Sequence, residues 1–183
     1  MRVLVTGAAG FIGSHLVERL LSRGHSVVGI DNFNAFYDPR IKERNISAAL
    51  DNSSFDLVRG DILDQALLEE TFSRFNPERV VHLAAWAGVR PSIQNPAIYQ
   101  SVNVEGTTNI LQACRHHAVD HLVFASSSSV YGNRDEIPFR ETDSVSRPIS
   151  PYAATKATGE LLAYTWHHLF GLNVHCLRFF TVY

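Results

Sequence analysis

Short aliphatic runs alternate along the chain with stretches of helical periodicity. The apolar runs fall at Val3–Val5, Val27–Ile30, Phe55–Val58, Val80–Leu83, Leu122–Ala125 and Val174–Phe179. Most are near-continuous rather than alternating, as in parallel strands covered on both faces. Between them the 3.6-residue period predicts helices over about 11–23, 38–50, 64–74, 96–117 and 151–170. Strand–helix alternation through a single chain predicts a doubly wound α/β fold with a parallel sheet. Right-handed crossovers and a reversal of direction after the third strand predict the strand order 3-2-1-4-5-6. No repeat, low-complexity tract or linker interrupts the pattern, so residues 1–183 are expected to form one domain. The longest irregular piece, Gly132 to Ser150 with Pro138 and Pro148, follows the carboxyl end of the fifth strand, where such folds place their chemistry.

Composition narrows the class. Hydrophobic residues make up 45% and charged residues 19%, values typical of a soluble globular protein. A net charge of −2 gives no support to a nucleic-acid or anionic-membrane partner. No apolar run reaches the length of a membrane span. Met1-Arg2-Val3-Leu4-Val5-Thr6-Gly7 already has the pattern of strand and turn, which leaves no room for a signal peptide. Cys114 and Cys176 lie far apart in apolar company, as buried reduced thiols of a cytoplasmic protein would. His116-His117 and His167-His168 fall at predicted helix ends, and neither His-Glu-x-x-His nor Cys-x-x-Cys occurs, so no metal site is expected. The chain stops at Arg178-Phe179-Phe180-Thr181-Val182-Tyr183, the end of the sixth strand. It is therefore expected to be the cofactor-binding part of something longer.

Thr6-Gly7-Ala8-Ala9-Gly10-Phe11-Ile12-Gly13 follows the first strand and opens the first helix. Glycines at this spacing permit a tight turn, close backbone approach to a pyrophosphate and close helix–sheet packing. Unpaired N–H groups and the positive end of the helix dipole suit the phosphates. Asp31 ends the second run, where a carboxylate can accept both ribose hydroxyls of NAD and repels the extra phosphate of NADP. Asn32 follows, and no arginine occupies that turn, so the expected cofactor is NAD. Asp61, before Ile62 at the end of the third run, is either an acceptor for an adenine amino group or a loop residue entering the next helix. Leu83-Ala84-Ala85 ends the fourth run with small side chains against which a cofactor can lie. Asn103 falls inside the long fourth helix, an awkward place for an amide unless it reaches the turns after strand four or five.

Tyr152 and Lys156 are separated by Ala153-Ala154-Thr155, and the only other lysine is Lys42. Ser150-Pro151 just before them is a good N-cap followed by proline at the first helical position. Tyr152 and Lys156 then share one face in the opening turns of a helix, as i and i+4. An ammonium beside the phenol, near a helix N-terminus, is expected to lower the tyrosine pKa and make it a base. An ordinary amphipathic helix start with an exposed lysine is the alternative. Ser126-Ser127-Ser128-Ser129 is poor strand material. At a strand end facing the cradle these hydroxyls suit a sugar, though a solvated loop has the same composition.

Together, Gly7 through Gly13, Asp31-Asn32, His82-Leu83-Ala84-Ala85, Asn103-Val104-Glu105-Gly106-Thr107, Ser127 through Gly132, and Tyr152 to Lys156 resemble the extended short-chain dehydrogenase/reductase family. The resemblance covers essentially the whole chain. It implies a Rossmann fold binding NAD, with Ser127, Tyr152 and Lys156 as catalytic triad, and a C-terminal substrate lobe absent from these residues. In such relatives the positions after the serine discriminate between reactions, with carboxylates there for dehydration or decarboxylation. Ser128 and Ser129 stand here instead, which leaves epimerisation. Asp31-Asn32-Phe33-Asn34-Ala35-Phe36-Tyr37-Asp38-Pro39, Ala87-Gly88-Val89-Arg90 and Phe179-Phe180-Thr181-Val182-Tyr183 are similar to strings of UDP-glucuronate 4-epimerases. The resemblance thus implies 4-epimerisation of a UDP-sugar through a 4-keto intermediate, with Tyr152 as base. Arg90, Ser128 and Thr181 would then face an acidic sugar. A UDP-glucose 4-epimerase and a non-catalytic NAD-binding module are the alternatives. The resemblance also implies a homodimer formed through the helices near 96–117 and 151–170. These 183 residues alone are expected to turn nothing over.

Overall fold

The computed structural model describes residues 1–183. Six parallel strands, β1 (Arg2–Thr6), β2 (Ser26–Asp31), β3 (Phe55–Arg59), β4 (Arg79–His82), β5 (His121–Ser127) and β6 (Asn173–Phe179), lie in the order β3-β2-β1-β4-β5-β6. Each aliphatic run became a strand, and the inner strands β1 and β2 are buried along nearly their whole length, whereas the edge strand β6 keeps one face exposed. On β1 successive side chains enter different cores. Val3 and Val5 join Val17, Val27, Ile46 and Phe55 on one side. Leu4 joins Val28, Phe72, Ile110 and Phe124 on the other.

Helices α1 (Phe11–Ser22), α2 (Pro39–Leu50) and α3 (Gln65–Phe75) match the predicted stretches to within a residue at most ends. Asp38 caps α2 through the Arg40 N–H, and Asp64 caps α3 through the Leu67 N–H. The region after β4 differs. A short helix α4 (Val89–Gln94) intervenes, entered through Gly88 at φ 92°. Beyond it the expected single helix is three joined pieces, α5 (Pro96–Tyr99), a π-helical segment (Gln100–Glu105) and α6 (Gly106–His116). A π-turn inserts one residue into the helical ladder and is often found at functional sites. Here it contains Asn103.

The last helix, α7 (Pro151–Phe170), starts as its sequence requires. The Ser150 hydroxyl accepts the Ala153 N–H at 3.1 Å, Pro151 occupies the first turn, and Gly171 at φ 73° closes the far end. Its inner face is small, with Ala153, Ala157, Gly159 and Ala163 buried. Gly159 sets the contact with β5, since a Cβ there would lie 2.3 Å from the Phe124 ring. Phe124 is itself 1% exposed and has no room to retreat. Alanine at position 159 gains about 1 kcal/mol of helix propensity, but the overlap it creates outweighs this. Gly159→Ala is expected to lose a net of about 1–2 kcal/mol in urea unfolding. Glu18→Ala, on the exposed face of α1, should stay within about 0.5 kcal/mol of the parent.

Candidate functional site

The carboxyl ends of the strands open into two clefts of about 700 and 950 Å³. They share Gly7, Leu83, Ala85 and Ala87, so one trough crosses the sheet at the β1/β4 switch point. Gly7 lies at φ 70°, and a Cβ there would meet the Ala84 backbone nitrogen at 2.8 Å. At Gly13 a Cβ would sit 2.1 Å from the Gly7 carbonyl oxygen. Only glycine lets strand, turn and helix approach this closely. No side chain caps the N-terminus of α1, whose N–H groups remain for a ligand.

The first cleft is also lined by Asp31, Asn32, Asp61, Ile62 and Ala84, as expected. Asn32 donates to Asp61 at 2.7 Å, so the two act as a pair. Asp31 is more heavily engaged than its position in the sequence suggests. One of its oxygens accepts from the Phe33 N–H at 2.9 Å and the Lys42 ammonium at 3.1 Å, and the other from the Ala9 N–H at 3.1 Å. A carboxylate offers about four acceptor sites, so one remains for a ligand hydroxyl, and Asp31 cannot serve two ribose hydroxyls alone. Lys42, Asn34, Phe36 and Tyr37 also line this cleft and were missed. Their signal in the sequence was a lone lysine on a helix and a turn rich in asparagine and aromatics. Neither locates a side chain in space.

The second cleft brings together Phe11, Ile12, Gly13, Ser127, Tyr152 and Lys156. Phe179, Phe180 and Val182 close one side. Lys156 is 4% exposed and donates to the Ala125 carbonyl at 2.7 Å, with its nitrogen 6.0 Å from the Tyr152 ring centre. Burial pulls its pKa down to about 8. Tyr152 differs from expectation, because the structure holds its pKa above the ordinary value. Burial of the phenol is the main cause, opposed by the hydroxyl of Ser127. The ammonium meant to lower it is turned to a backbone carbonyl. Tyr99, 1% exposed, packs edge-on to Tyr152 at 6.2 Å and donates its hydroxyl to the Ala87 carbonyl at 2.6 Å.

Behind the trough, Asn103 does reach the turn after β4. Its amide accepts the Trp86 N–H at 2.8 Å and donates to the Trp86 carbonyl at 3.0 Å and to Thr155 at 3.1 Å. It supports the wall without lining either cleft, and Gly10 likewise shapes the turn from outside them. His82 is buried between Thr6 (2.7 Å) and Thr107 (3.0 Å), and burial first, then Lys156, drives its pKa down to about 3.

Three expected substrate contacts are not gathered here. Arg90 is exposed in the first turn of α4 and lines neither cleft. Ser128 begins a 3₁₀ turn (Ser128–Tyr131), and Thr181 is exposed between lining residues. Cys114 is buried as expected, whereas Cys176 is only partly so, with its thiol pushed up to about 11 by burial.

Residues 4–183 match the family described as GDP-mannose 4,6 dehydratase. The chain is 48% identical over 182 residues to UDP-glucuronate 4-epimerase 3 of Arabidopsis thaliana, covering 99% of this chain and 42% of the relative. It is 46% identical to Protein CapI of Staphylococcus aureus, of which it covers 54%. The chain thus spans about half the length of the curated relatives it matches. The UDP-glucuronic acid 4-epimerase of Bacillus cereus, solved with UDP-glucuronic acid and NAD, superposes with a TM-score of 0.93 at 40% identity over 100% of this chain and 57% of its own. The UDP-glucose 4-epimerase of Thermus thermophilus, solved with NAD, has a TM-score of 0.86 at 39% identity, over 97% of this chain and 54% of its own.

Lys156 carries a pH signature. Its folded pKa of about 8 lies below the ordinary 10.5, so the unfolded chain binds its proton more tightly and stability rises as pH increases between these values. The penalty is full below pH 8 and gone above 10.5. Comparing the urea stability of the parent with that of Lys156→Met isolates it. The difference is expected to shift towards the parent by about 3 kcal/mol between pH 7 and 10.5.

Proposed function

Because the chain belongs to the family described as GDP-mannose 4,6 dehydratase, we propose that it is the NAD-binding Rossmann domain of a nucleotide-sugar 4-epimerase that converts UDP-glucuronate to UDP-galacturonate. The observation that carries this reading is the meeting of Ser127, Tyr152 and Lys156 in a cleft continuous with the glycine cradle and Asp31. The trough fits the cofactor. It has a cradle that any Cβ would fill and an unpartnered buried hydroxyl on Tyr37 beside Asp31. The family's description names a dehydratase, but no carboxylate follows Ser127. Ser128 and Ser129 cannot act as acid or base near neutral pH, which favours epimerisation over loss of water.

In this reading Tyr152 takes the proton of the sugar 4-hydroxyl, and Ser127 shares a hydrogen bond with that oxygen. When bound, NAD supplies a reversible hydride acceptor, so that a 4-keto sugar forms and is reduced on its other face. Lys156 holds the α7–β5 junction, its ammonium 6.0 Å from the centre of the phenol ring. The Ser127 hydroxyl opposes the burial that raises the Tyr152 pKa. The similarity to UDP-glucuronate 4-epimerases at 43–48% identity supports the acidic sugar. The exposure of Arg90 favours a second reading, a UDP-glucose 4-epimerase, to which the Thermus thermophilus enzyme is the structural parallel. We also infer a cytoplasmic homodimer. Exposed Leu161, Tyr164 and Leu169 on α7 support the contact, and no helix is long and apolar enough to cross a membrane.

Assays of the whole protein with UDP-glucuronate and UDP-glucose side by side separate the two readings, and turnover is expected chiefly with the first. Tyr152→Phe should lower kcat by about a hundredfold or more while changing NAD affinity little. Near-parental turnover in that variant would falsify the base assignment.

A further inference from the structure

The chain's two lysines are both buried, and each lines one of the two clefts. Lys156 belongs to the site described above. Lys42 has no role in it. It lies in α2 with its side chain 8% exposed, 3.1 Å from Asp31, 3.4 Å from the Asn34 side-chain oxygen and 5.5 Å from the centre of the Tyr37 ring. Asp31, Asn34 and Tyr37 line the same cleft. An ammonium has three N–H donors, and two acceptors account for two of them. The third is available to whatever occupies the cleft.

Charge makes this arrangement consequential. Discrimination against a ribose 2′-phosphate is ordinarily credited to the carboxylate that ends the second strand, and acceptance of the phosphate to a nearby cation. Here that cation is already present and touches the carboxylate. The charges of Asp31 and Lys42 cancel, so the ribose end of the cleft is near neutral and suits a hydroxyl that donates to one and accepts from the other. The other ions nearby are held elsewhere. Asp61 is bonded to Asn32, and Arg59 is bidentate with Glu43 at 2.8 Å while lying over the Phe33 ring.

We propose that Lys42 is a masked phosphate-binding cation and the specificity-determining residue of this cleft. Paired with Asp31 it favours the 2′-hydroxyl of NAD. Relieved of Asp31 it holds the 2′-phosphate of NADP, with no arginine introduced. The proposal rests on the dinucleotide reading of the cleft.

The test is calorimetric titration of the whole protein with NAD and with NADP. The parent, Asp31→Ser, Lys42→Met and the double variant are compared, with a melting curve to establish that each is folded. Asp31→Ser is expected to bind NADP at least about tenfold more tightly than the parent, and to lose that gain as KCl is raised. The double variant should show no gain. Lys42→Met alone should bind NAD several-fold more weakly. If Asp31→Ser does not fold, Asp31→Asn keeps an acceptor for the Ala9 or Phe33 N–H and gives the same comparison. No NADP gain in a folded Asp31 variant, or an equal gain without Lys42, overturns the proposal while leaving NAD binding by the parent intact. A parent that binds neither dinucleotide sinks the dinucleotide reading, and the masked cation with it.

Discussion

The bond from the Lys156 ammonium to the Ala125 carbonyl is the interaction on which the rest of the catalytic end depends. It joins the first turns of α7 to the end of β5, and so fixes Tyr152 relative to Ser127. Removing an ammonium from water is costly, and the depressed pKa of Lys156 records that cost. The surroundings offset it from several directions. Small residues and Gly159 let the helix backbone approach Phe124, and Ser150 satisfies the helix start. One turn further along, Glu160 accepts from Ser126 at 2.5 Å and from Nε and one terminal nitrogen of Arg178, pinning the same helix to β5 and β6. Apolar contact alone would let a helix slide on a sheet. These directional bonds fix the register of α7 on β5.

Much of this was legible in the chain. Strands buried on both faces announce themselves as aliphatic runs, and the Ser150-Pro151 start of α7 is visible from local chemistry alone. So are the glycines, because their requirement is steric and short-ranged. The path after β4 was not legible. Within the π-helical segment the Asn103 amide binds both backbone groups of Trp86, a tertiary contact without a periodic signal. Lys42 was missed for a related reason. It lies eleven positions after Asp31, and only the turn through Asn34 and Tyr37 brings it back. Arg90 lies on the exposed first turn of α4, outside both clefts, a placement its motif does not reveal.

Tyr152 shows where spacing arguments stop. The i, i+4 geometry is present, but proximity on a helix face does not decide where a flexible ammonium points. In the structure the lysine bonds to a carbonyl, and the phenol is left with burial as its dominant influence. In the proposed reaction, ionisation of the phenol would therefore depend on Ser127 and on the occupant of the cleft more than on the pair alone. A similar caution applies to the family's description. Shared architecture locates the chemistry, and the two residues after Ser127 indicate which chemistry it is.

Trp86 has a consequence of an optical kind. Its ring stands edge-on between Phe36, at 5.3 Å on the rim of the first cleft, and Tyr99, at 6.2 Å against Tyr152. The second indole, Trp166, is half-buried and packs edge-on to Phe170 towards the far end of α7. Intrinsic emission from this molecule therefore has one component seated between the two clefts and one remote from both, so a ligand's arrival can be followed without a dye.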